Sequence, residues 1–154
     1  MKCYDSLSTF SDVAAALQKL STIASFVPVI FSNGQKSMVE NSVLRSHDLG
    51  PQASIFADII TVEEVQKYKP TPDVYHYLAR KVGKSAEEYK DIWLISGNPF
   101  DITGSKNAGL NAGWIDRSGL GWRDGLIADG EPTVQSGSLD GLMAAIEEYV
   151  SKRG

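Results

Sequence analysis

The sequence predicts an α/β protein built on a mainly parallel sheet flanked by helices, and three observations lead there. Short apolar runs at 26–31, 55–61, 92–95 and 112–115 alternate with stretches of helical periodicity, the order expected of strands joined by crossover helices. The run at 26–31, FVPVIF, is continuously apolar, which suits a parallel strand buried on both faces. Two of the runs end in polar turns, Ser32-Asn33-Gly34 and Ser96-Gly97-Asn98. In open α/β sheets this carboxyl edge is where ligands bind, because helix N-termini there point free N–H groups into the crevice.

The elements follow in chain order. Residues 1–10 are a polar lead-in anchored by Leu7 and Phe10. Ser11 can cap the next helix, with Asp12 in its first turn and Val13, Leu17 and Leu20 on one face. Pro28 weakens the strand at 26–31, since proline cannot donate to a ladder. Gln35 to Leu44 continues as helix until the cluster His47-Asp48-Leu49-Gly50-Pro51 breaks it, and Ile55 to Thr61 is a short strand. Glu63 to Lys69 is loop or a short helix. Asp73 to Val82 is a helix introduced by Pro72 and ended by Gly83. Residues 85–90 form a polar connection into a buried strand at Ile92 to Ile95, and Ala112 to Ile115 is the next strand. Ser118 to Gly137, rich in Gly and Asp, is loop with at most one short strand. Leu139 to Val150 closes the chain as an amphipathic helix with Leu142, Ile146 and Val150 in register.

Composition narrows the function classes. A chain of 154 residues suits one domain. With 15 basic against 19 acidic residues and no basic run, there is no electrostatic footprint for nucleic acid or an anionic membrane, which leaves a small molecule or a protein as partner. No stretch reaches the length of a membrane span and the first residues are too polar for a signal peptide, so a cytoplasmic protein is expected. Cys3, the single cysteine, excludes an internal disulfide and a Cys-based zinc cluster. His47 and His76 lack metal-ligand spacing, Gly119-Leu120-Gly121-Trp122 lacks the order of a nucleotide fingerprint, and Trp93, Trp114 and Trp122 are expected to pack or anchor loops.

Three polar constellations can carry chemistry. Ser32-Asn33-Gly34 offers a hydroxyl and an amide beside backbone N–H groups, which suits a carboxylate or a phosphate and equally suits a plain helix cap. Lys69, held by Pro70 before a helix, is either a solvated lysine or a positioned cation able to steady a neighbouring carboxylate and developing charge. Ser96, Asn98 and Asp101 stand where the strand at 92–95 gives way to a helix.

In their order these residues resemble the motifs of the haloacid dehalogenase superfamily, in its L-2-haloacid dehalogenase variant. Ser32-Asn33-Gly34 resembles the second motif, Lys69-Pro70 with Tyr75 the third, and SGNPFD leading into WIDR the fourth. The resemblance implies a Rossmann-like core. It assigns Ser32, Asn33 and Gly34 to the carboxylate of a small substrate, Lys69 to steadying a catalytic aspartate, Tyr75 to the substrate site, and Ser96, Asn98 and Asp101 to completing it. Phosphatases of the superfamily usually carry an acid four residues before the aspartate. Gly97 stands there, and Mg²⁺ prefers more than one carboxylate, so the metal-free branch is expected, with no cofactor.

The resemblance covers about residues 7 to 117 and lacks the superfamily's first motif, an aspartate at the end of a first strand. The residues before Ser32 hold only Asp5 and Asp12, neither behind an apolar run, and residues 7–13 resemble the return from the helical cap into the core. The first strand, the nucleophile and nearly all the cap are therefore expected to be missing, with residues 1–10 as a remnant of the cap-to-core connection. Such a gap leaves backbone groups unpaired, to be filled by rearranged strands, by residues 1–6, or by a second copy or complementing chain. Three functions stay open: hydrolysis of a carbon–halogen bond in a 2-halo acid with an aspartate from elsewhere, a non-catalytic binding subunit or relic, and a non-hydrolytic cyclase or isomerase using the same pocket.

Overall fold

The computed structural model describes residues 8–125 and 127–153, grouped in two compact units divided between Gln66 and Lys67. The expectations for Cys3, Asp5, Leu7 and a gap-filling segment at 1–6 lie outside the described residues.

In the first unit, helix α1 (Val13–Leu20) buries Ala16 and Leu17. Asp12, not Ser11, is its N-cap residue. Phe10, expected to anchor the lead-in, is 64% exposed. Strand β1 is only Ile30–Ser32 and is half-buried, in place of the longer, fully buried strand predicted. Proline explains the shortening: Pro28 can only accept, taking the Ala57 N–H at 2.9 Å, and the ladder begins beyond it, where the Ile30 N–H reaches the Asp58 carbonyl at 2.9 Å. Helix α2 (Lys36–Leu44) follows. Gly50–Ile55 is a 3-10 turn that takes Ile55 out of the predicted strand, leaving β2 as Ile59–Thr61. β1 and β2 pair in parallel, with Ile30 opposite Ile59 and Ser32 opposite Thr61.

The second unit opens with helix α3 (Pro72–Lys81), which starts on its proline and stops at Gly83, whose φ of +74° suits glycine. The polar connection after it is more ordered than its composition indicated. Ser85 and Glu88 form a capping box on a 3-10 turn, Ala86–Asp91. Strand β3 (Trp93–Ser96), helix α4 (Pro99–Asn107), strands β4 (Asn111–Ile115) and β5 (Val134–Ser136), and helix α5 (Leu139–Ser151) complete the unit. The sheet is parallel in the order β3-β4-β5. The α/β class with parallel pairing thus holds in both units.

The core of this sheet is β4, whose Ala112 and Trp114 pack with Ile102 of α4, and Trp122 closes over them from the following loop. Trp114 and Trp122 meet edge to face at 5.0 Å, and Trp93 meets Tyr149 the same way at 5.3 Å, so all three tryptophans serve packing. Helix α5 buries Leu142, Met143 and Ile146, each worth about 1.5–3 kcal/mol of apolar burial. Val150, predicted on the same face, is 47% exposed in the last turn. Ile95, predicted as buried strand, is 38% exposed. Among the described residues no helix is long and apolar enough to cross a membrane.

Candidate active site

The second unit assembles a buried charged cluster from two separated pieces of sequence. β3 delivers the chain to Ser96 at its carboxyl end, where the Ser96 Oγ accepts the Asn98 N–H at 3.1 Å. Asn98 is then the N-cap residue of α4, Pro99 supplies its first position, and Asp101 falls in the first turn. There the helix dipole favours a carboxylate. Asp101 is only 7% exposed, so its charge requires partners.

Both partners come from the segment that enters α3, Lys69 just before it and Tyr75 in its first turn. The Lys69 Nζ lies 3.3 Å from Asp101 Oδ2, with the two side chains 7% and 10% exposed. The Tyr75 hydroxyl donates to Asp101 Oδ1 at 2.9 Å and also lies 3.3 Å from the Asp101 backbone carbonyl. The Lys69-Pro70 peptide bond, just before α3, is cis. Burial pulls the Lys69 ammonium below the usual lysine range, and the charge of Asp101 partly restores it. Burial pushes the Tyr75 phenol up, and the Asp101 charge and hydrogen bond push the same way, so Tyr75 stays a proton donor. The result is a desolvated lysine held in place by one carboxylate and a tyrosine that fixes the other carboxylate oxygen. Such a cation can steady a second anion or charge that develops in a displacement.

Close approach of α3 and α4 depends on Gly104. A Cβ there would stand 2.6 Å from the Pro70 Cβ and 2.7 Å from the Tyr75 Oη. No motif in the sequence marks Gly104. Its signal was available: a glycine inside a helix costs roughly 1 kcal/mol against alanine, which calls for a packing reason.

In the first unit, Ser32 ends β1 and its Oγ accepts the Gly34 N–H at 3.0 Å, the same hydroxyl-to-backbone turn that Ser96 makes. Asn33 is exposed at the tip. A Cβ on Gly34 would come within 2.9 Å of the Val39 side chain, so α2 packs tightly beneath the turn. Of the eight residues singled out in the sequence, Lys69, Tyr75 and Asp101 are in direct contact and Ser96 and Asn98 form the turn that leads into them. Ser32, Asn33 and Gly34 make the corresponding turn of the first unit.

The residues present do not fit a Mg²⁺ ion. The two oxygens of Asp101 already face the Lys69 ammonium and the Tyr75 hydroxyl, and Gly97 brings no second carboxylate. Among the described residues no three His, Cys, Asp or Glu side chains gather as a ligand set. His47 pairs with Asp48 at 3.0 Å, and His76 stacks on Tyr89 at 5.2 Å.

Two further aspartates are accounted for structurally. Asp12 stands at the N-cap position of α1, away from any strand end. Asp116, which the sequence reading did not single out, follows β4, but its oxygens accept the Ser118 hydroxyl and the Gly121 N–H, each at 2.8 Å. These bonds hold it below the usual carboxylate range and organise the loop that seats Trp122.

Parallel β/α pairing, with a buried lysine–aspartate pair beside the turn that ends β3, defines an α/β protein with a Rossmann-like core. Comparison with known proteins makes the assignment specific. The model of the haloacid dehalogenase-like hydrolases matches residues 1–109, and the chain belongs to that family. An (S)-2-haloacid dehalogenase from Pseudomonas fluorescens is 34% identical over 115 residues, covering 74% of this chain and 47% of that protein. The (S)-2-haloacid dehalogenase 4A of Burkholderia cepacia is 28% identical over 119 residues, covering 77% of this chain and 48% of its own length. Among solved structures, the L-2-haloacid dehalogenase from Xanthobacter autotrophicus with chloropropionic acid covalently bound shares the fold, with a TM-score of 0.77 at 22% identity over 95% of this chain and 64% of that one. The chain spans about half the length of the curated relatives it matches.

Proposed function

We propose that the protein takes part in carbon–halogen hydrolysis of a small 2-halo carboxylic acid, without a metal or other cofactor. The observation that carries this reading is the Lys69–Asp101–Tyr75 cluster, a desolvated cation braced by a carboxylate at 3.3 Å. A carboxylate nucleophile displaces halide from C2, forming an ester and releasing the halide with the bonding electrons, and water then cleaves the ester. Lys69 steadies the nucleophilic carboxylate and Asp101 holds Lys69 in place. Ser32 and Asn33 take the substrate carboxylate, with Gly34 allowing the turn, while Ser96 and Asn98 shape the strand end before Asp101. The nucleophile itself is not among the aspartates at strand ends in the described residues, since Asp116 is committed to its loop. A second copy or a complementing chain is one source of it.

The test is halide release by the purified 154-residue chain from short 2-halo acids, with Lys69→Met as the control. Release by the wild type that disappears in a folded Lys69→Met protein supports the reading. Absence of release from folded wild-type protein, alone and after addition of a polypeptide carrying an Asp-x-x-Gly-Thr strand, rejects it.

A further inference from the structure

A carboxylate of the protein already sits beside the Ser32-Asn33-Gly34 turn. The parallel register puts Thr61 opposite Ser32, and the turn that follows β2 then swings Glu63 toward the start of α2. There Glu63 Oε2 accepts the backbone N–H of Lys36, the first residue of α2, at 2.7 Å, with the Thr61 hydroxyl 3.4 Å away. Gln35, at the N-cap position, makes no side-chain cap, so Glu63 supplies from a distant segment the anion that this helix end attracts.

Local charges do not cancel it. The Lys36 ammonium donates to the Ile59 carbonyl and lies 3.6 Å from Asp58 and 3.9 Å from Glu40, so it is already shared between two other carboxylates. An anion arriving at Ser32 and Asn33 therefore meets a helix end whose first donor is taken, next to a standing negative charge. The penalty scales with the charge of the arriving group.

We propose that Glu63 is a specificity-determining residue of the Ser32-Asn33-Gly34 turn, admitting ligands with a single carboxylate and turning away dianions such as phosphate esters and dicarboxylates. This rests on the reading above that the turn holds the substrate carboxylate. Repulsion of a dianion is twice that of a monoanion at the same distance, so removing the charge multiplies affinity for the dianion by the square of the factor for the monoanion. For an exposed pair, a roughly threefold gain for the monoanion becomes roughly tenfold for the dianion.

The experiment is an NMR titration of the full chain with propanoate and with malonate at neutral pH, following the Gly34 and Lys36 amides in wild type, Glu63→Gln, Glu63→Lys and Asn33→Ala. Glutamine keeps an acceptor for the Lys36 N–H while removing the charge, and the lysine variant extends the series. Stronger malonate binding in the order Lys, Gln, Glu at position 63, with propanoate changing much less, supports the proposal. Equal malonate affinity across that series, with Asn33→Ala still weakening propanoate, overturns the role of Glu63 and leaves the carboxylate turn standing. Propanoate binding that ignores Asn33→Ala overturns the carboxylate turn itself, and the selectivity with it.

Discussion

The Tyr75 hydroxyl donates to Asp101 Oδ1 at 2.9 Å across the contact between α3 and α4, with Tyr75 itself fully buried. This hydrogen bond helps tie the third and fourth motifs together and leaves the second carboxylate oxygen for Lys69.

Tyr75→Phe is expected to cost about 1–3 kcal/mol in denaturant unfolding, because it leaves a buried carboxylate oxygen without its donor. The same variant changes the alkaline limb of stability. The phenol is raised in the folded protein above its ordinary value of 10.0, so above that pH the unfolded chain ionises first and the folded state loses stability as pH rises. In Tyr75→Phe that part of the alkaline loss is absent, which a comparison of unfolding midpoints between neutral and alkaline pH measures.

Removing the cation alone is expected to be worse than removing the pair. Lys69→Met strands the buried Asp101 charge and costs about 3–5 kcal/mol, whereas Lys69→Met combined with Asp101→Leu recovers most of the loss. A double-mutant cycle by chemical denaturation checks this. A loss in the double variant equal to the sum of the Lys69→Met and Asp101→Leu losses would show that the pair is not coupled.

Gly104→Ala adds a methyl where Pro70 and the Tyr75 hydroxyl already stand within 2.7 Å of its site. The expected cost is about 1–3 kcal/mol for overpacking. Shifted NMR signals for Tyr75 and Lys69, with the Ser32-Asn33-Gly34 turn unchanged, would place the disturbance at this helix contact.

Acid is expected to loosen the loop that seats Trp122. Asp116 is held below its ordinary value of 3.8, first by the Gly121 N–H and then by Ser118, so its contribution is present above that value and lost as pH falls through the lower folded one. Tryptophan emission should shift to the red over that range. Asp116→Ala should show a comparable shift already at neutral pH, and an unchanged spectrum would separate Trp122 from the Asp116 turn.

The sequence by itself determined the α/β class, the approximate place of the five α-helices among the described residues, the polar turns at Ser32 and Ser96, and the polar residues from which the site is made. Helix periodicity, proline at a first turn and glycine at a helix end are local effects, written within a few neighbouring residues. Strand extents were less legible. Pro28 and the turn at Gly50–Ile55 trimmed two strands to three residues each, because a ladder requires a partner and its length depends on both chains. The exposure of Ile95 and Phe10 was likewise invisible, since burial depends on what packs against a residue and not on its own apolarity. Only tertiary structure decided that Lys69 and Tyr75 share Asp101, 32 and 26 residues away, that Gly104 makes room for them, and that Glu63 caps a helix 27 residues before it. These pairings have no local signature. They exist because parallel β/α connections return distant strand ends and helix starts to one edge of a sheet, where buried charge is stable only when folding supplies its partner.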